Sequence, residues 1–337
     1  MQRRDALMTM AALALGGCAG GSGAGSGKRQ IAVIPKGTSH DFWKSVHFGA
    51  DQAGREAGAE IIWLGTDNET DKEGQIKIVD NLISRQVAGI CLAPIDRDAF
   101  VPVVKRARRQ GVPMVIYDSG VSDESEIVSY VATNNRKGGT LAGEHLAQLL
   151  GGAGGVILLR YQAGSESTEE REQGFLEAID EHEDIRVLSE SQRVNSDAGE
   201  ALKIASGLLN RFGDALNGVF TVCEPNNKGM LMALTQAKRP DGRPMAGEVK
   251  FVAFDSGPEI IRGLQDGVVH GVILQDPVNM GYLAVKSMVD HLDGKQVPRR
   301  VETGEYLATP ENMNEPRSQE LLRPRQYGAD AGSGVQA

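Results

Sequence analysis

The sequence predicts an α/β protein built as two doubly wound parallel-sheet halves in series. Short, continuous apolar runs recur from Gln30 onward, as in strands covered on both faces, and between them apolar residues fall at helical spacing. Strands alternating with helices in this way form parallel sheets through βαβ crossovers, and the scheme occurs twice along the chain.

In the first half the strand-like runs are IAVI (31–34), EIIWL (60–64), AGICLA (88–93), VPMVIYD (112–118) and IVSYVA (127–132). Between the first two, Phe42, Val46, Ala50, Ala53 and Ala57 share one helix face, and Ile76, Val79, Leu82 and Ile83 do so in the next interval. The second half repeats the order with GGVILLR (154–160), DIRVLSES (184–191), GVFTVC (218–223), VKFVAFD (249–255) and VVHGVILQ (268–275). The glycines of 151–155 precede a strand, whereas a phosphate-binding loop follows one and opens a helix, so they read as a turn. Polar residues gather at the carboxyl ends of strands, which places a ligand site in the cleft between the two sheets.

The amino terminus carries a different message. Arg3 and Arg4 precede an apolar stretch from Ala6 to Leu15, too short to span a ~30 Å hydrocarbon core but suited to a secretory signal. Leu15-Gly16-Gly17-Cys18 resembles the lipobox of bacterial lipoproteins, which implies cleavage after residue 17 and acylation of Cys18. Ordinary secretion is preferred to twin-arginine export, because the residues around the arginine pair match that motif poorly. Residues 18–29 are the lipidated cysteine and a Gly/Ser tether, and Ala19 favours outer-membrane sorting in a Gram-negative envelope. Residues 329–337 are rich in Gly, Ala and Ser and read as a loose tail.

The formal charge is −9, one unit more negative once residues 1–17 are removed, which argues against a nucleic-acid partner. Apart from Cys18, only Cys91 and Cys223 remain. Each ends an apolar run in a different half, so both are expected to be buried and unpaired. The sequence lacks GxSxG, HExxH, paired CxxC and Walker A motifs, and its histidines are scattered. A binding protein with no metal or cofactor is the better reading than an enzyme, although the abundant carboxylates leave an acid/base pair open.

Seven segments in order, IAVIPKGTSHDFWKSVHFGA, IYDSG, VATNNRKGG, GSESTEEREQGF, VCEPN, VAFDSG and ILQDPVNMG, are similar to the ribose/galactose-type periplasmic sugar-binding proteins of ABC importers. The similarity covers about residues 30–310. It implies the type I periplasmic-binding-protein fold, two lobes joined by three crossings near 133–134, 275–276 and Val301. The amino-terminal lobe would hold 30–133 plus 276–300 and the other lobe 134–275 plus 301–328. The lobes would close on a monosaccharide or polyol and be presented, as a monomer, to a membrane permease. A sensor that hands its closed form to a chemoreceptor or kinase is the alternative, and an enzyme on the same scaffold a further one. A repressor of this fold would need a helix-turn-helix where this chain has a signal and tether.

A sugar offers hydroxyls that donate and accept, and an apolar C–H face, so carboxylates, amides and aromatic rings suit it. The resemblance places Phe42 and Trp43 at the stacking aromatics. Phe42 also continues the helix face, which favours Trp43 for stacking. Lys36 stands where ribose binders carry a small polar contact, and His40 takes an amide-like position; either is also readable as a solvated loop residue. Asp118, Asn135, Asp255 and Gln275 match sugar contacts, Asp255 most strongly. Ser167 and Glu170 have the spacing of a capping box. Ribose binders carry an arginine contact in that segment, where Glu169 aligns, with Arg171 two residues on and a second candidate to face the cleft. Cys223-Glu224 replaces an Asn-Asp pair; Glu224 can still chelate two hydroxyls. These departures put ribose itself in doubt.

Overall fold

The computed structural model describes residues 28–328; the expected signal, Cys18, nearly all of the tether and the 329–337 tail lie outside the described residues. In chain order the strands are β1 (Gln30–Ile34), β2 (Glu60–Trp63), β3 (Gly89–Leu92), β4 (Met114–Tyr117), β5 (Ser129–Ala132), β6 (Gly154–Tyr161), β7 (Ile185–Ser189), β8 (Arg193–Val194), β9 (Gly218–Thr221), β10 (Lys250–Phe254), β11 (Gly271–Leu274), β12 (Arg300–Glu302) and β13 (Tyr306–Ala308). Every apolar run named from the sequence supplies a strand. The very short β8, β12 and β13 are additions that periodicity does not announce.

The first sheet has the order β12-β5-β4-β3-β1-β2 and is parallel throughout. The second has the order β13-β11-β10-β9-β6-β7, with β8 beside β6 and only the edge strand β13 antiparallel. Helices α1 (Asp41–Ala57), α2 (Lys72–Ser84) and α3 (Val101–Arg109) cover the first sheet. Helices α4 (Asn135–Leu149), α5 (Glu166–Asp180), α6 (Ala198–Phe212), α7 (Glu224–Gln236) and α8 (Pro258–Gln265) cover the second. Helix α9 (Pro277–Leu292) returns to pack on α1, and α10 (Pro316–Leu322) docks on the second lobe through Leu321 and Leu322.

Helix α1 shows how local pattern and tertiary packing meet. Val46, Ala50 and Ala53 are buried as the spacing requires, whereas Ala57 is exposed in the last turn, just before Gly58 ends the helix in a left-handed cap at φ 64°. Helices α4 and α5 approach until their backbones nearly touch: a Cβ on Gly139 would sit 2.1 Å from the carbonyl oxygen of Arg171. That contact fixes the height of Arg171 on the cleft wall.

The chain passes between lobes at 133–134, at 275–276 and at 303–305, the last a few residues beyond Val301 because β12 first completes the edge of the first sheet. After α10 it crosses once more. The Tyr327 N–H donates to the Lys44 carbonyl at 3.0 Å, carrying the end of the described chain back onto α1, so 323–328 does not stay on the second lobe. Cys91 and Cys223 are free and buried, one in each lobe. No helix among the described residues is long and apolar enough to cross a membrane.

Candidate functional site

The two sheets present equivalent strand ends to the cleft. Asp118 follows β4 and Asp255 follows β10; their N–H groups donate to the Val131 and Ile273 carbonyls at 3.0 and 2.9 Å. Each then turns into the left-handed region, at φ 61° and 78°, uncommon outside glycine but accessible to Asp. Such conformations concentrate at functional sites. Both aspartates line one interlobe cavity of about 40 Å³.

On the first-lobe wall, Lys36 is buried and has three close polar partners. Nζ lies 3.1 Å from Asp118 Oδ2 and donates across the cleft to Ser165 Oγ at 3.1 Å and Ser167 Oγ at 3.0 Å. Beside it, Glu69 accepts from His40 Nδ1 at 2.9 Å, Trp43 Nε1 at 2.8 Å and, from the other lobe, Tyr161 Oη at 2.8 Å. Burial alone would raise the Glu69 pKa. The His40 bond and charge, the Lys36 charge and the Trp43 bond outweigh it and hold the carboxyl at about 2. Burial likewise opposes charge on His40, but the Glu69 bond and charge raise its pKa.

The first turn of α5 adds further bonds between lobes. Glu166 Oε2 accepts from the Gly120 N–H at 2.8 Å and the Tyr130 hydroxyl at 2.9 Å, while the Ser167 N–H donates to Ser119 Oγ at 3.0 Å. Burial pushes the Glu166 carboxyl up despite these donors.

The second-lobe wall is built from local contacts. Arg171 donates to Asn135 Oδ1 at 2.8 Å and the Val222 carbonyl at 2.9 Å, stands 3.5 Å from Asp255 Oδ2, and lies 3.8 Å over the Phe254 ring. Gln275 Nε2 donates to Asp255 Oδ1 at 2.6 Å. Burial pushes the Asp255 carboxyl up to about 6, against the pull of Arg171 and Gln275. Glu224 Oε1 pairs with Lys228 at 2.8 Å. Two enclosed acceptors remain: Glu224 Oε2 and Gln275 Oε1 have no hydrogen-bond partner among the described residues, and both residues line the cavity.

Of the residues named from the sequence, Lys36, His40, Phe42, Trp43, Asp118, Arg171, Glu224, Asp255 and Gln275 come together around this cavity. Trp43 is packed into the first-lobe core and faces Tyr117 edge to face, whereas the Phe42 ring is the more open of the two. Asn135 lies behind the wall, holding Arg171. Glu169 is not brought to the cavity. Its carboxylate accepts from the Gly164 N–H at 2.9 Å and faces Arg97 at 3.6 Å. Ser167 and Arg171 are one helical turn apart and share a face, and Glu169, halfway between them, points away. The capping-box reading of Ser167 also fails, because α5 begins earlier, with Ser165 at the N-cap, and the Ser167 hydroxyl is taken by Lys36.

Glu69, Tyr161, Ser165 and Thr168 were not singled out from the sequence. Glu69 sits in a polar loop after β2 among other acidic residues, and nothing local marks it. Tyr161 ends β6, at a strand's carboxyl end like Asp118 and Asp255, the general position from which a cleft is lined.

Comparison with known proteins gives a consistent picture. A profile for the periplasmic binding protein domain matches residues 31–296. The D-ribose/D-allose-binding protein of Pseudomonas aeruginosa is 30% identical over 284 residues, 82% of this chain and 86% of that protein. The ribose import binding protein of Escherichia coli K12 is 29% identical over 270 residues, 80% and 87% of the respective chains. A carbohydrate transporter solute-binding protein from Agrobacterium radiobacter, solved in complex with D-arabinose, superposes with a TM-score of 0.83 at 28% identity, covering 88% of this chain and 100% of that one.

Proposed function

This chain belongs to the periplasmic binding protein family, and from that premise we propose that it captures a monosaccharide or related polyol between its lobes and delivers it to an ABC importer without chemical change. The observation that carries the reading is the pair of enclosed, unpartnered acceptors, Glu224 Oε2 and Gln275 Oε1, on one cavity wall. An unpaired buried acceptor is costly, and a ligand rich in hydroxyl donors relieves both at once. Around them, Asp118, Asp255, Arg171 and Lys36 offer acceptors and donors, and Phe42 a ring face. Names of the relatives and the arabinose-bound neighbour point to the same ligand class.

Bonds across the cleft from Lys36, Glu69 and Glu166 support closure of the lobes over the ligand. The closed monomer is the form presented to the permease. The Leu15-Gly16-Gly17-Cys18 sequence supports secretion and a lipid anchor on Cys18, and Ala19 supports outer-membrane placement in a Gram-negative envelope.

Thermal-shift measurements against pentoses, hexoses, sugar alcohols and inositols test the proposal, since a ligand selective for the folded state raises the melting temperature. At least one stabilising sugar, recovered unaltered, is expected. No shift across the panel, or conversion of the hit to a product, overturns the reading.

A further inference from the structure

A second cavity, about 400 Å³, adjoins the first, and Phe42, Asp255 and Gln275 line both. Its floor is apolar: Ile261, Leu274 and Leu322 are buried there. Arg262 and Gln265 stand at its exposed rim.

Its roof is the carboxyl-terminal strap, and the strap is fixed to both lobes. On the second lobe the Ser256 hydroxyl donates to the Leu322 carbonyl at 2.7 Å. On the first, besides the backbone bond to Lys44, the Tyr327 ring stacks on His47 with centroids 3.7 Å apart, and His47 stacks on Trp63 at 4.2 Å. Arg323, Pro324 and Gln326, between these anchors, line the chamber. Capture of a lone monosaccharide accounts for neither the chamber nor its roof.

Size decides what the two spaces can hold. The inner cavity, with Lys36 bonded across it, has room for little more than water-sized groups, which need roughly 10–15 Å³ each on this measure. A sugar edge can reach Glu224 and Gln275 there, but the rest of the ring must extend past Phe42 and Asp255 into the neighbouring chamber. An apolar cavity of about 150 Å³ is enough for benzene, so about 400 Å³ leaves space for a further ring. The apolar floor suits a ring face, and Arg262 and Gln265 suit polar substituents at its edge.

We propose, building on the sugar-receptor reading, that the chamber beneath the strap binds a second ring, and that the ligand is a glycoside whose sugar enters the inner cavity while its ring-sized substituent occupies the chamber.

Titration calorimetry on the purified protein tests this. The probes are the best free sugar from the thermal-shift panel, its methyl glycoside, its phenyl glycoside and a disaccharide ending in the same sugar. The phenyl glycoside or the disaccharide is expected to bind at least about tenfold tighter than the free sugar, because a second ring face is buried. Ile261→Trp, which fills the floor, is expected to bring that ratio to about one; if it does not fold, Gln265→Trp at the exposed rim carries the same comparison. Equal or weaker binding of both extended probes, or a ratio unchanged in the tryptophan variant, overturns the chamber proposal. If the free sugar still binds, the receptor reading survives; failure of every probe to bind removes both.

Discussion

The two buried ion pairs at the cleft start from equivalent strand ends and finish in different circumstances. Asp118 and Asp255 leave β4 and β10 in the same left-handed conformation, yet the cation beside Asp118 also bonds to the opposite lobe, whereas the cation beside Asp255 is held within its own. Arg171 is fixed by Asn135, the Val222 carbonyl and the Phe254 ring, all within its own lobe, although Asn135 also donates across the cleft to the Asp118 carbonyl at 3.4 Å. Lys36 gains Ser165 and Ser167 only when the lobes meet. On the proposed closure of the lobes, one half of the site is held mainly within a single lobe, and the other half is assembled between the two. Preorganised groups contribute affinity without an ordering cost at binding, and assembled ones couple affinity to lobe position.

The largest effect is expected at the preorganised pair. Asp255→Ala removes an acceptor proposed to face the ligand and leaves Arg171 without its carboxylate; sugar binding should weaken by about a hundredfold or more, consistent with roughly 3 kcal/mol for a truncated buried charge pair. The apo protein should stay folded by circular dichroism, because burial already disfavours this carboxylate's charged form. Near-normal affinity would remove Asp255 from the site.

Lys36→Met should cost less, about thirtyfold, chiefly through faster release, and should enlarge the radius of gyration of the ligand-saturated protein in X-ray scattering. Arg171→Met should also lose affinity but leave the saturated dimensions unchanged. If both variants, or neither, alter lobe opening, the distinction between a preorganised and an assembled half is wrong.

A pH series sharpens the same contrast. The Asp255 pKa is raised to about 6, so its carboxylate is ionised above that pH and protonated below it; as an acceptor it fails on acidification. Affinity should fall between pH 7 and 5, approaching about tenfold per unit at the acid end. Glu69, near 2, stays ionised across the window, while the other groups able to titrate there are His40, raised by Glu69; Glu166, pushed up by burial; and Glu172, raised by burial to about 7. Asp255→Asn, measured over the same range, separates them: a flat profile assigns the fall to Asp255, and an unchanged slope assigns it elsewhere.

Glu169→Gln gives the smallest change. It faces Arg97 in a partly exposed pair, and affinity should stay within about threefold. A large loss would mean that the α5 face assigned to the cleft is the wrong one.

Much of this was legible in the sequence. The apolar runs mark the strands because both faces of each are covered, and the aspartates at their carboxyl ends mark the cleft, since topology opens there. What stayed hidden has physical causes. Strands β8, β12 and β13 have two or three residues each, too few to show a period, and exist because a neighbouring edge accepts them. Glu69 carries no local signature; its place follows from the donors that surround it. Glu169 and Arg171 were both tenable until the start of α5 was known, because a shift of two residues turns a side chain to the opposite side of a helix.

The sequence by itself determined two α/β halves and the faces their helices bury, since these follow from short-range periodicity and backbone preference, while the carboxylates expected at the cleft came from the family resemblance. Tertiary structure alone decided which charges pair, which acceptors are left unpaired among the described residues, and that segment 323–328 recrosses to α1 over a second chamber. Those outcomes rest on contacts between residues far apart in the chain, such as Lys36 with Ser165 or Tyr327 with His47, whose geometry exists only once both lobes are folded and set against each other.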